Sequence, residues 1–252
     1  MDAVAVRIEG EGNRESEWSR SAWLDALPSV DADTMLQGVR SVVVVSPHPD
    51  DEVLACGGLM QAAFARGIAV RVVSVTDGEA CYPGQSLWPT TRLRHARRRE
   101  LADAMRLLGL DAAHVVPLGL PDGEVTAREA ELAAHLAELL AAGDLVVAPW
   151  TSDAHPDHEA AGRAANAAAL EQGLRVLQYP VWAWHWLDPH AAVGPWPSAW
   201  RLPLCAPSLA RKHRAMQAFS TQTGNVEGLG CDPILPEQVM ARFRRPYEVL
   251  IG

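Results

Sequence analysis

Residues 41–58 read SVVVVSPHPDDEVLACGG. Four valines bounded by serines form a short, continuous, β-branched run, the mark of a strand covered on both faces. The chain leaves that strand into His48 and three consecutive acids, Asp50, Asp51 and Glu52. Clustered like charges are costly unless a cation or solvent compensates them. A bound cation explains why they sit at the end of a buried strand.

The same alternation recurs downstream. Glu52 to Arg66 has helical spacing, and VRVVSV (70–75) is a second buried strand followed by the loop TDGEACYPGQS. Thr91 to Leu108 reads as a helix stopped by Gly109, and HVVPLGL (114–120) as a weaker strand. Thr126 with Glu129 forms a capping-box pattern for a helix to about Ala142. DLVVAPW (144–150) is a fourth strand, Asp157 to Gln172 a helix, and RVLQYPVW (175–182) a fifth strand broken late by Pro180.

This rhythm predicts an α/β chain: a Rossmann-like three-layer αβα fold with a mostly parallel twisted sheet, in strand order 3-2-1-4-5. Residues 1–38 read as a polar lead-in with one short amphipathic helix around Trp18 to Leu27, ended by Pro28. Residues 39–252 read as one domain. Beyond Trp186 it becomes a loop-rich C-terminal extension with helices near Ser208 to Phe219 and Pro236 to Arg242.

A second unusual stretch, SDAHPDHEAAG (152–162), also follows a buried strand. Ligands of open parallel sheets bind outside the carboxyl ends of the strands, where the strand order reverses. Strands one and four are neighbours there, so HPDD and HPDH are expected to face each other and share a metal. Mixed histidine and carboxylate donors suit Zn²⁺, with Fe²⁺ also tolerated. His48, Asp51 and His158 are the expected ligands, leaving a position for water. Asp50 is placed to take a proton from that water, and His155, as imidazolium, to stabilise an oxyanion or protonate a leaving amine. Asp157 is expected to orient His155 or a ligand histidine. Glu52 is either part of the site or a favourable acid at a helix start.

The remaining residues carry less chemistry. RLRHARRRE (92–100) reads as a solvated helix face with Arg97–Glu100 and similar ion pairs. His95, His114, His135 and His213 read as structural, while His185 and His190 lie in the loop-rich region within reach of the site. Trp182, Trp184, Trp186, Trp196 and Trp200 read as core or lid residues, with sugar stacking as the alternative. A formal net charge of -9 argues against a general nucleic-acid or anionic-membrane binder. Four scattered cysteines form no CxxC pair, which fits a reducing cytoplasm. Neither a signal peptide nor a membrane-spanning run is expected. Lys212 is the sole lysine and alanine is abundant, which suggests a GC-rich bacterial genome.

Together these motifs resemble the LmbE-like, or PIG-L-like, de-N-acetylases. The resemblance rests on PHPDDE and AHPDH, supported by TDGE (76–79), Arg97 with Glu100, and LGLPDG (118–123), over roughly residues 39–182. It implies a single deacetylase domain over residues 39–252 with a mononuclear metal, usually zinc. It also implies a hydrolase that removes an acetyl group from an N-acetylglucosamine-containing small molecule. It assigns His48, Asp51 and His158 to the metal, Asp50 as general base and His155 to the transition state. Glu79, Arg97 and Asp122 fall where members hold the substrate. Some members carry a tyrosine where this chain has Asp153. Others cleave amides of thiol conjugates, so another amide remains an alternative, as do a phosphoester hydrolase and a silent sugar-binding protein. A homo-oligomer is compatible with the sequence.

Overall fold

The computed structural model describes residue 8 and residues 10–111, 114–224 and 226–252. Its centre is β1 (Ser41–Ser46), flanked in parallel by β2 (Ala69–Thr76) and β4 (Asp144–Pro149). β3 (Val115–Leu120) and β5 (Arg175–Tyr179) lie outside these, also parallel. The valines of β1 show why the run is unbroken. Val42 and Val44 enter one core and Val43 and Val45 the other, all fully buried. Successive strand side chains point to opposite faces, so a strand covered on both sides needs apolar residues at every position.

One face is covered by α4 (Asp51–Ala65) and α5 (Thr90–Leu108), the other by α6 (Glu129–Leu139) and α7 (Pro156–Glu171). The strand order β3-β2-β1-β4-β5 bears out the expected topology, and two further strands extend it. The full order ends in β7 (Tyr247–Ile251), antiparallel to β5, and β6 (Ala199–Pro203), antiparallel to β7. The C-terminal section is therefore less loop-rich than its proline and tryptophan content suggests. It also carries α8 (Ala183–Trp186), α9 (Ala206–Met216), α10 (Ser220–Thr223) and α11 (Glu237–Ala241).

Lys212, on α9, is fully buried and donates to Glu248 of β7 at 2.7 Å. The same carboxylate accepts from the Gly58 and Leu59 amides of α4. One buried carboxylate thus ties the added strand both to α9 and to the helix that carries the first motif.

The lead-in holds three single-turn helices instead of one amphipathic helix: α1 (Glu15–Trp18), α2 (Ala22–Asp25) and α3 (Ala32–Met35). Ser21 and Asp31 cap α2 and α3 by accepting from the Leu24 and Thr34 amides, which restarts the helix at each cap. Trp18 and Trp23 are buried edge-on against Trp184 and Trp196, and Trp18 Nε1–H donates to the Trp184 carbonyl. Thr126 does not cap α6 either. A 3-10 turn, Val125–Arg128, precedes that helix, and the Thr126 hydroxyl donates to the Pro156 carbonyl. Among the described residues no helix is long and apolar enough to cross a membrane.

Candidate metal centre and active site

The parallel pairing of β1 and β4 brings their carboxyl ends side by side. From β1 the chain passes through Pro47 to Asp50 and enters α4 at Asp51; from β4 it reaches His155, the N-cap of α7, with Pro156 at the first helical position. Proline is preorganised there, since its missing N–H has no helical partner to lose. Both Asp51 and His158 therefore lie in first helical turns facing one crevice.

Three donor atoms converge in it. His158 Nε2 lies 3.3 Å from Asp51 Oδ2 and 3.3 Å from His48 Nδ1, and His48 Nδ1 lies 3.5 Å from Asp51 Oδ2. Tetrahedral zinc with bonds of about 2.0–2.1 Å requires ligand atoms about 3.3–3.4 Å apart, so the triangle fits such an ion. The outer nitrogens of both rings already have carboxylate partners. His158 Nδ1 faces Asp153 Oδ2 at 2.9 Å, and His48 Nε2 faces Asp122 at 3.1 Å and Asp157 at 3.3 Å. Carboxylates accept only, so these outer nitrogens carry protons, and each ring would turn a lone pair inward beside Asp51 once its inner nitrogen gives up its proton to make room for a cation.

The electrostatics agree. Burial by itself would lower the His158 value, but the charge of Asp51 and the bonds to Asp153 and Asp51 raise it to about 9. Burial likewise opposes ionisation of Asp51, yet the two histidines hold it far below the usual carboxylate range. Protons and a metal ion thus compete for the same inner atoms, and metal binding must release protons.

Asp50 stands beside this triangle in a backbone conformation rare for a non-glycine residue, with φ 148°. Such strain persists only where the surroundings impose it, and it clusters at functional sites. Asp50 Oδ2 accepts from the buried guanidinium of Arg97 at 3.1 Å, which also donates to the Pro49 carbonyl at 2.7 Å. Burial pushes the Asp50 carboxyl up to about 7, with Arg97 opposing and Asp51 adding to the rise. Arg97 reaches it across Gly78, where a Cβ would lie 2.6 Å from the guanidinium carbon. This close approach accounts for the glycine of TDGE.

His155 Nδ1 accepts from the Asp157 amide, so its proton resides on Nε2. Burial, followed by the neighbouring His158 and His48, lowers its value to about 3. The bond from the Asp157 amide favours a neutral ring that donates from Nε2 over the expected imidazolium. His48, Asp50, Asp51, His155, Arg97 and Asp122 all line one cleft of about 410 Å³.

The model of the PIG-L family, GlcNAc-PI de-N-acetylase, matches residues 43–169, which hold both motifs, most of β1 and all of β2, β3 and β4. The chain belongs to the PIG-L family. Similar proteins include the probable N-acetyl-α-D-glucosaminyl L-malate deacetylase 2 of Bacillus cereus, 29% identical over 50% of this chain and 59% of that protein. The 1D-myo-inositol 2-acetamido-2-deoxy-α-D-glucopyranoside deacetylase of Mycobacterium sp. (strain KMS) is 32% identical over 60% of this chain and 56% of its own length. The chain thus spans a little over half the length of these curated relatives. Among solved structures, the conserved protein TT1542 from Thermus thermophilus superimposes with a TM-score of 0.54 at 30% identity, covering 73% of this chain and 80% of that one.

The other residues singled out from the sequence take varied positions. Glu79 is buried but turns to Arg94 at 2.8 Å and does not line the cleft, so a substrate contact from it is not what the structure shows. Arg97 and Glu100 form neither a solvated face nor a pair with each other. Glu100 accepts from the Ser220 and Thr221 hydroxyls and the Thr221 amide, anchoring α10. Asp157 bonds His48, one of the two alternatives, and also accepts from the Gly123 and Val125 amides. Asp122 joins it on the same histidine nitrogen. Glu52 accepts from the Ser46 hydroxyl and the Asp50 amide, bracing the strained turn, and burial raises its value to about 8. His190 is exposed, and His185 lies against Arg242, away from the triangle.

The residue missed from sequence is Asp153. It is wholly buried, accepts from the Val181, Trp182 and Ala183 amides, and bonds His158. Its signal was a carboxylate five residues before a ligand histidine, directly after a buried strand.

Proposed function

We propose that this chain is a divalent-metal-dependent deacetylase that hydrolyses the acetamide of an N-acetylglucosamine-containing small molecule, leaving acetate and a free amine. The observation that carries the reading is the triangle of His48 Nδ1, Asp51 Oδ2 and His158 Nε2 opening into a cleft shared with Asp50 and His155. Membership of the PIG-L family and the names of the deacetylase relatives support the same chemistry. A cation held there, zinc for preference with Fe²⁺ also suited to the donors, would polarise the acetyl carbonyl and make water nucleophilic near neutral pH.

The chain's own groups supply the rest. One oxygen of Asp50 is held by Arg97, so the other remains to take the proton from the attacking water. A value near 7 is well matched to a group that accepts a proton and then returns it to the departing nitrogen. The neutral Nε2–H of His155 donates to the oxygen on which negative charge develops. Asp122 and Asp157 hold the His48 ring, and Asp153 holds that of His158. All four cysteines are free thiols, in keeping with a cytoplasmic site of action.

The donor set does not favour a two-metal phosphoester hydrolase. Among the described residues the one further cluster, His48, Asp122 and Asp157, shares His48 with the first. Filling both would require the imidazole to lose both protons, while Asp157 is already engaged by two amides.

The test is metal content together with amine release from N-acetylglucosamine conjugates. One metal equivalent per chain is expected, with turnover falling about 10²–10⁴-fold in Asp50→Asn. Undiminished turnover in that variant would overturn the mechanism.

A further inference from the structure

The cleft beside the metal centre does not end there. It adjoins a second chamber of about 500 Å³, with Ile8, Trp182 and Ile234 lining both. Each volume alone lies in the range of a small-molecule site, so a single sugar ring does not need the second chamber.

The walls of that chamber have a definite chemistry. Trp182, Pro233, Ile234, Pro236 and Val239 make them largely apolar; His185, whose Nδ1 lies 3.3 Å from Arg242, and Gln238 add polar edges, and its acids are Glu11 and Asp232. Among the described residues no lysine or arginine lines it. The nearby Arg242 donates to the carbonyls of Asn13 and Glu11. In the first chamber Arg97 is engaged by Asp50 and Pro49. Neither guanidinium is placed to pair with a carboxylate or phosphate on a bound molecule, and the exposed Glu11 and Asp232 carboxylates of the second chamber would repel one.

Trp182 stands where the chambers meet. Its ring lies near-parallel to that of His155, 6.5 Å away at 19°. Its backbone N–H is held by Asp153, the carboxylate that also holds His158. An aromatic panel of fixed position therefore begins at the metal centre and leads into the apolar chamber.

We propose that the second chamber is the subsite for the group attached to the amino sugar, and that it selects an uncharged, largely apolar aglycone over an anionic one. The proposal rests on the deacetylase reading above.

The test compares benzyl, methyl and malyl N-acetyl-α-D-glucosaminides on the metal-loaded full chain, by amine release and, in parallel, by calorimetric affinity. The benzyl compound is expected to exceed the methyl one by at least about tenfold in kcat/KM and in affinity, since apolar groups discriminate on that scale. The malyl compound is expected to fall below both. Ile234→Ser, a half-buried wall position, should lower the benzyl-to-methyl ratio several-fold. Because the ratio is internal to each protein, a general loss of activity does not mimic it. Equal affinity for benzyl and methyl compounds, or preference for the malyl one, overturns the subsite. Apolar preference in affinity with no amine released from any compound supports the subsite and defeats only the deacetylase reading.

Discussion

Replacing Asp153 by asparagine should weaken metal binding without touching a metal ligand. In the native chain each carboxylate oxygen accepts twice. Oδ1 takes the Val181 amide at 3.0 Å and the Ala183 amide at 2.9 Å, while Oδ2 takes the Trp182 amide and His158 Nδ1, both at 2.9 Å. Asparagine keeps one accepting oxygen and turns an NH2 donor toward the other two N–H groups. If the NH2 faces His158, the ring is driven to the tautomer with its proton on Nε2, the nitrogen aimed at the ion. If it faces Val181 and Ala183, two buried amides lose their acceptor. An unsatisfied buried donor costs about 1–3 kcal/mol. Unfolding should therefore occur several degrees lower, at about 2–4 °C per kcal/mol for a chain of this size. Loss of an outer partner typically lowers metal affinity about 10–100-fold, or about 1.4–2.7 kcal/mol. Competition against a metal-sensing chelator measures the affinity, and differential scanning calorimetry the melting temperature. Zinc affinity within about threefold of the native value, at an unchanged melting temperature, would refute the claim that Asp153 orients His158.

Three further outcomes follow from particular contacts. Burial lifts Glu52 to about 8 in the fold from an ordinary 4.5. Its contribution to stability is therefore complete below the unfolded value and lost as pH rises through about 8. In chelator-treated protein, Glu52→Gln should lose less melting temperature than the native chain between pH 5 and pH 8; parallel curves would contradict this. Arg97→Met removes the charge that opposes the burial of Asp50, so the acid limb of the kcat/KM profile should move to higher pH. A uniform drop with no displacement would assign Arg97 a packing role only. Lys212→Met leaves Glu248 buried without its cation and should cost about 3–5 kcal/mol in denaturant unfolding; a loss below about 1 kcal/mol would show that the Gly58 and Leu59 amides suffice for that carboxylate.

The central sheet was legible because its strands are buried on both faces and so read as short β-branched apolar runs at β1 and β4, and at β2 with only Arg71 and Ser74 interposed. The crevice followed from topology: two histidine–carboxylate loops after neighbouring strands have nowhere else to point. The antiparallel strands were not legible. AWRLP and YEVLI are five residues each, and Pro203 lies at the end of the first, where an edge strand tolerates it. The basic helix was misjudged by composition. Leu93, Arg97, Glu100, Leu101 and Ala104 are all buried and follow i, i+4, i+7, i+8, i+11 spacing, which marks the inward stripe despite its two charges. Glu79 could not be assigned from its motif, because the direction of a loop side chain depends on Arg94, fifteen residues away. Asp153 carries no motif of its own, because the pairing with a histidine five residues later depends on the loop that folds it back onto the Val181–Ala183 amides.

The central claim concerns which face of His48 holds the ion. An anomalous-scattering map of the zinc-loaded crystal, collected on both sides of the zinc edge, separates the two donor clusters that share this histidine. The expected result is one peak per chain, bonded to His48 Nδ1, Asp51 and His158. A peak bonded instead to His48 Nε2 with Asp122 and Asp157, or two peaks of comparable height, would contradict it.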